Sequence, residues 1–301
     1  MLITYHNHKY SFPTWSLVLT AILISLIYPQ IGLGLQNYVT YLMMGLMFFS
    51  FLNIDFKKIS KNLHHIKKPS ATLAIIHLLS PLIVLTLKPY LDPQIFLGFI
   101  IVTIISSGIS VVFLSSLFKG NPNTALVITF FSNILAPVTI PALLYLFTKL
   151  VININYLSIA LTIVKLIIIP LLVAMLFHQF KFTKSIAKHA NTISTLILFV
   201  VMIGIISPVQ YLLVYDLKLT FLLIAIVIGL TSINFFAGYA LGNTREEKIT
   251  YGICSNYKNY ALASIIALTN FDPMVALPAA IYALVNNLFL IPMQMLILHK
   301  K

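Results

Sequence analysis

The sequence predicts an all-α integral membrane protein of about ten transmembrane helices. Three observations carry that reading: a large apolar excess, ten apolar runs of bilayer length, and lysines that alternate between successive loops. Of the 301 residues, 60% are hydrophobic and 8% are charged, and the mean hydropathy is +1.01. A soluble domain of this size needs a largely polar surface, and a lipid surrounding removes that need. A helix crosses the hydrocarbon core in about 20 residues, so ten spans use about 200 and leave about 100 for loops and tails. No loop is then long enough for a second domain, and residues 1–301 read as one transmembrane unit.

The apolar runs fall at 15–35, 38–54, 70–87, 93–117, 124–148, 155–178, 191–213, 219–241, 249–269 and 274–298. The first two are divided within the Gly/Gln/Asn-containing stretch Pro29–Asn37. With ten spans, one side of the membrane holds Lys9, Lys57, Lys58, Lys61, Lys67, Lys68, Lys119, Lys181, Lys184, Lys188, Arg245, Lys248, Lys300 and Lys301, while the other holds Lys88, Lys149 and Lys218. A wrong span count in mid-chain would scramble this separation. The positive-inside rule therefore puts both termini, and the five-lysine loop Asn53–Pro69, in the cytoplasm of a cell-membrane protein. The same placement explains the net charge of +13 without a nucleic-acid partner, since the charges sit in short loops rather than on a helix face. The single cysteine, Cys254, excludes a disulfide or a thiolate metal cluster within this chain. The polar stretch Met1–Thr14 lacks the apolar run and cleavage site of a signal peptide.

A shift of 151 residues lays Asn121-Pro122-Asn123-Thr124-Ala125-Leu126 on Asp272-Pro273-Met274-Val275-Ala276-Leu277, and Ile140-Pro141 on Ile291-Pro292. The alternative is a chance likeness of two proline-containing apolar helices. Five spans per copy is an odd number, so the copies face opposite ways. Two inverted five-helix repeats are an architecture of secondary transporters.

Polar residues inside the runs mark where chemistry is expected. Span nine carries Cys254-Ser255-Asn256-Tyr257-Lys258-Asn259. Such a group in hydrocarbon costs several kcal/mol unless it finds partners or water, so it faces the interior or an aqueous cavity. In inverted-repeat transporters a helix unwinds at such a place and turns backbone groups toward the substrate. Span four offers Ser106-Ser107-Gly108-Ile109-Ser110, and the same shift sets Ser107 on Lys258 and Gly108 on Asn259. Its other reading is a small-residue packing face. Span five supplies Thr129, Ser132 and Asn133, and span ten Asn286 and Asn287, as interhelical hydrogen bonds or site residues. His77 in span three reads as a hydrogen-bonded core histidine or a site group. Lys165 in span six reads as a cavity group or one snorkelling to the headgroups. All six acids, Asp55, Asp92, Asp216, Glu246, Glu247 and Asp272, lie near span ends, so Lys258 has no carboxylate partner in its span.

With these residues in view, the chain resembles the bile acid:sodium symporter family and the wider sodium/bile acid and organic-anion transporter group. The resemblance runs over nearly the whole chain. It is carried by Lys119-Gly120-Asn121, by Leu135-Ala136-Pro137 with Pro141, and by Lys258-Asn259-Tyr260-Ala261-Leu262-Ala263. It implies a panel (about 15–54 and 155–213) and a core (about 70–148 and 219–298), with helices four and nine broken and crossed. Sodium-coupled members have a Glu four residues before a Gln-Asn pair in span nine, Ser-Asn in span four and a Gln in span three. Here those positions hold Cys254, Lys258 and Asn259, then Val111 and Val112, and Ile76. Most sodium ligands are missing, and Lys258 brings a fixed monovalent cation instead, with three hydrogen bonds to give to Asn and backbone oxygens.

The expected function is alternating-access transport of a small organic anion, sodium-independent, with substrate and ion-site residues among Lys258, Asn259, Cys254, Asn256, Ser107, Gly108, Ser110, Thr129, Ser132, Asn133, Asn286 and His77. No cofactor is expected, and proton coupling stays open. An arsenite or oxyanion permease of the same superfold relies on a Cys in span four, which is absent here. A lysine-Schiff-base photoreceptor needs an intramembrane counter-ion, also absent. An enzyme is not expected: the sequence has no HExxH pair and no acidic diphosphate motif. Substrate identity, direction and oligomeric state are not written in the sequence.

Overall fold

The computed structural model describes residues 14–54, 59, 67–108, 110–148, 154–180 and 182–298. Most of the lysine-rich loop lies outside them. The described residues are almost wholly helical, in the order α1 (Thr14–Ile27), α2 (Pro29–Leu52), α3 (Lys67–Tyr90), α4 (Pro93–Ile104), α5 (Val111–Leu117), α6 (Pro122–Thr148), α7 (Tyr156–Phe177), α8 (Thr183–Ile206, running on in helical turns to Tyr215), α9 (Leu217–Leu241), α10 (Arg245–Asn256), α11 (Tyr260–Asn270) and α12 (Pro273–Leu298). Seven of these runs are long and apolar enough to cross a membrane, and Ser16–Ile27, Pro93–Ile104 and Tyr260–Asn270 are shorter apolar helices. Their outer faces are apolar too: Leu33 and Tyr41 on α2, Leu161 and Leu172 on α7, and Phe221 and Phe236 on α9 are exposed. A surface of that kind suits lipid rather than water.

Local sequence chemistry sets the ends. Asp92 accepts from the N–H of Gln94 and Pro93 follows it, which opens α4. Asp216 caps α9 through Leu219 N–H, and Thr244 caps α10 through Glu247 N–H, with Glu246 and Glu247 in the first turn where carboxylates favour the helix dipole. Asn121 and Asp272 each cap the helix that follows them, accepting at 3.0 Å from Asn123 N–H and Met274 N–H.

One sequence expectation fails here. The first two helices are divided at Tyr28, not within Pro29–Asn37. Pro29 has no N–H to give and begins α2, so Gly32, Gly34, Gln36 and Asn37 all lie inside that helix. Gly32 is there for packing: a Cβ on it would collide with the Ser207 hydroxyl and the Ile203 carbonyl, so its absence lets α2 lie directly on α8.

Elsewhere α9 packs on α10, and α12 on both α4 and α11. One apolar core runs through most of the bundle. A smaller one gathers Ile76, Val111, Leu114, Phe118, Ile249, Ile253 and Cys254 around α5 and α10. The loop Lys119-Gly120-Asn121 joins them. Lys119 takes φ 62°, Gly120 N–H returns to Ser115 O at 2.7 Å, and Asn121 N–H reaches Thr250 Oγ1 of α10 at 2.6 Å.

Candidate functional site

Two spans are interrupted, and the interruptions meet. The chain is extended from Ile105 to Gly108, between α4 and α5, and again from Tyr257 to Asn259, between α10 and α11. Ser107 and Lys258 form an antiparallel bridge. Gly108 N–H donates to Tyr257 O and Asn259 N–H to Ser106 O, both at 2.9 Å. Backbone groups freed by unwinding are thus satisfied by one another, which is how irregular backbone is tolerated deep in a membrane. Glycine is required at 108, because a Cβ there would lie 2.9 Å from the Lys258 carbonyl oxygen.

Each unwound stretch is held from behind by a polar helix. On one side Ser132 Oγ accepts from Ser107 N–H at 2.9 Å, and Ser106 Oγ bonds Asn133 Oδ1 at 3.0 Å. The Asn133 amide donates to Ser107 O and Thr129 O. On the other side Asn286 accepts from the Asn256 amide at 3.2 Å and donates to the Tyr260 hydroxyl, which itself donates to Asn256 O. The rings of Tyr260 and Tyr282 stack, with centroids 5.6 Å apart. Asn259 caps α11 by accepting from Leu262 N–H at 3.1 Å.

Lys258 is 3% exposed, and its Nζ donates to the carbonyls of Ile76 and Thr103. Both acceptors lie where the regular helical ladder is interrupted. Ile76 lies in the π-helical turn Ile75–Leu79 of α3, and Thr103 in the last turn of α4. The ammonium therefore sits on the negative end of a half-helix. The next carbonyl, Ile104 O, accepts from His77 Nδ1 at 2.8 Å. A carbonyl only accepts, so Nδ1 bears the hydrogen and Nε2 faces Ser132 Oγ, 3.4 Å away, as an acceptor. Lys258 and His77 together close off the broken end of α4.

The fold brings together most of the residues picked from the sequence: Ser107, Gly108, Ser132, Asn133 and His77 around one stretch, and Asn256, Lys258, Asn259 and Asn286 around the other. Several differ from expectation in detail. The lysine ammonium reaches toward α3 and α4, with backbone oxygens and not Asn as its partners. Cys254 is fully buried in the smaller apolar core. Ser110 is exposed at the start of α5. Lys165 is exposed on the outer face of α7, so it does not line the interior. Buried oxygen and nitrogen atoms of Ser107 (Oγ), Thr129 (Oγ1), Asn256 (Oδ1) and Asn259 (Nδ2) have no hydrogen-bond partner among the described residues.

Three participants went unnoticed in the sequence. The Ile76 and Thr103 carbonyls carry no side-chain signal. Asn234 did carry one, as a lone amide in an apolar span. It is fully buried with neither amide atom partnered among the described residues, one turn before Gly238, where α9 closes on Ser255. At the other end of α9 an apolar cavity of about 230 Å³ opens between α1, α8, α9 and α12, lined by Leu26, Ile206, Leu213, Thr220 and Ile281 among others. Among the described residues no His, Cys, Asp and Glu cluster could hold a metal ion.

Comparison with known proteins now bears on this geometry. The model of the sodium bile acid symporter family matches residues 40–217, more than half of the chain. The chain belongs to that family. Membership makes it a multi-pass membrane protein and a secondary transporter, with a small molecule as its substrate. Two relatives from Bacillus subtilis (strain 168) extend the likeness beyond the matched segment. An uncharacterised sodium-dependent transporter, YocS, is 24% identical over 299 residues, covering 94% of this chain and 89% of its own. An uncharacterised protein, YbaS, is 21% identical over 276 residues, covering 87% and 89%. The family's transporter character agrees with the reading that the chain is not an enzyme.

Proposed function

We propose that this chain carries a small organic anion across the cell membrane by alternating access, independently of sodium, with the Lys258 ammonium in the place sodium-coupled members give to sodium. The observation that carries the proposal is the pair of hydrogen bonds from Lys258 Nζ to Ile76 O and Thr103 O. A half-helix end and a loosened helical turn are backbone arrangements that suit a bound cation. Here a side chain supplies the cation. Among the described residues the ion pair is Lys68–Glu247, far from Lys258, so the lysine brings positive charge to the crossing without a carboxylate. An anionic substrate complements that charge, and the unpartnered polar atoms of Ser107, Thr129, Asn256 and Asn259 offer it hydrogen bonds.

The architecture proposed with it is two inverted five-helix repeats, with α1, α2, α7 and α8 as the panel and α3–α6 with α9–α12 as the core. Helix bounds support it under the 151-residue shift: Pro122 opens α6 and Pro273 opens α12, while α4 ends at Ile104 and α10 at Asn256. We place both termini in the cytoplasm on the lysine distribution.

The oxyanion permease is disfavoured because the broken span four, residues 93–117, holds no cysteine. A Schiff base at Lys258 would require an amine that already bonds two carbonyls. The test is a thermal-shift screen of purified protein against organic anions in sodium chloride and in choline chloride. Anions that stabilise the protein equally in both salts support the proposal, because a ligand of the folded state raises its stability by mass action. Stabilisation seen only with sodium defeats it.

A further inference from the structure

The closed crossing brings two protonatable side chains to one helix end. Lys258 bonds Thr103 O and His77 bonds Ile104 O, consecutive carbonyls of α4, and Lys258 also bonds Ile76 O, the residue before His77. Both side chains are over nine-tenths buried. The link closes on itself through Ser132, which lies between His77 Nε2 and the N–H of Ser107, the bridge partner of Lys258.

Resting on the reading of Lys258 as a resident cation, we propose that the coupling ion is a proton and that Nε2 of His77 carries it, loading only when the crossing opens. The exchange is simple. A solvent proton binds the Nε2 lone pair while the crossing is open to one side of the membrane and returns to solvent on the other side before the crossing closes, while the Nδ1 hydrogen stays throughout. In the closed state an Nε2–H would take away the acceptor that Nε2 offers the Ser132 hydroxyl, which would have to accept from it as well as from Ser107 N–H. It would also set a second positive charge beside the first.

Among the described residues no group packed against the pair offsets that second charge. Pro93–Ile104 has no ionisable side chain, and α6 has only Tyr145 toward its far end. On α9 Lys218 and Tyr239 lie toward the ends. On α10 the charges Arg245, Glu246, Glu247 and Lys248 are in the first turns, followed by Tyr251 and Cys254. Tyr257, Tyr260 and Tyr282 complete the surroundings. Lys67 and Lys68 begin α3, about 15 Å along the helix from His77. Two like charges without a counter-ion in a low-dielectric interior disfavour each other, so proton binding and closure are antagonistic. By linkage the proton then drives the crossing open.

Backbone hydrogen exchange on the full-length protein in lipid nanodiscs tests this without a substrate. Peptides covering 103–108 and 256–260 are followed from pH 8 to pH 5, corrected for the intrinsic pH dependence of exchange. Opening should rise toward tenfold per pH unit below about 6.5, where a solvated imidazole takes its proton, reaching about 30-fold at pH 5. His77→Asn, which keeps a donor for Ile104 O but cannot titrate, should give a flat profile. His77→Gln serves if that variant does not fold. A flat wild-type profile overturns the proposal whatever the variants do, and so does an equal slope in wild type and variant. Repeating the series in sodium chloride and choline chloride judges the other reading separately: protection conferred by sodium removes Lys258 as its replacement, and the pH profile still decides on His77.

Discussion

Ser107 and Lys258 lie opposite each other on two antiparallel segments, and 151 positions separate them in the chain. The two bonds beside them are each other's image under the same shift. Gly108 N–H to Tyr257 O becomes Asn259 N–H to Ser106 O, and both are 2.9 Å long. The backbone bonds at the bridge are reciprocal, as in any antiparallel pair, but the side chains differ: one segment presents a serine hydroxyl, the other an ammonium.

Lys258→Met should destabilise the protein, because it removes the donor for two buried carbonyls at nearly constant volume. Leaving a buried acceptor unpaired costs about 1–3 kcal/mol each. Lys258→Arg should lose less, since it keeps the charge in a different geometry. Thermal unfolding in detergent measures both, and an unchanged midpoint for the methionine variant would contradict the role given to the ammonium. Sodium chloride should not restore the loss.

Gly108→Ala should destabilise by about 1–3 kcal/mol, because the new methyl meets the Lys258 backbone, which cannot move aside. Gly34→Ala is the control. Nothing lies within 4 Å of a Cβ there, and alanine inside a helix gains up to about 1 kcal/mol over glycine. Opposite signs in the two unfolding midpoints are expected.

Asn286→Ala should weaken the second buttress by about 1–3 kcal/mol, stranding the Asn256 amide and removing the donor to the Tyr260 hydroxyl, which keeps its bond to Asn256 O. Tyr260→Phe removes only the hydroxyl and keeps the stack on Tyr282, so it should cost less. In a double-mutant cycle the two changes should be non-additive, since they share one bond. Additive losses would place the two residues in separate roles.

Glu247 accepts from Lys68 Nζ at 2.6 Å and from Asn243 N–H at 2.9 Å. The Lys68 hydrogen bond, then the Asn243 N–H, holds its carboxyl below the usual carboxylate range. A carboxyl depressed by folding contributes stability that is present above its unfolded value and is lost as pH falls through the lowered folded one. The tie between the first turns of α3 and α10 should therefore loosen only in acid. Glu247→Gln should reduce amide protection near residues 243–247 at pH 7 and make no difference at pH 2. A difference that persists in acid would point to another cause.

The membrane class, most spans and most of the crossing were legible in the sequence for one physical reason. A polar residue in an apolar run is expensive, so Ser107, Asn133, Asn256 and Lys258 each announced a partner. What could not be read was the backbone. The π-helical turn at Ile75–Leu79 leaves no mark in residue type, so the acceptors of Lys258 were unforeseen. The Tyr28 break was misplaced because glycine was read as an interruption, whereas Gly32 is a contact surface for Ser207. Asn234 was passed over because it stood alone, without the clustering that marked span nine.

The Lys258 ammonium on Ile76 O and Thr103 O has one consequence for how the site is filled. A free ion occupies its site according to its concentration and leaves when that falls. A tethered group has an effective concentration set by the chain that holds it, which no change of medium alters. The cradle at the end of α4 is thus filled whenever the crossing is closed, and the salt composition on either side of the membrane cannot starve it.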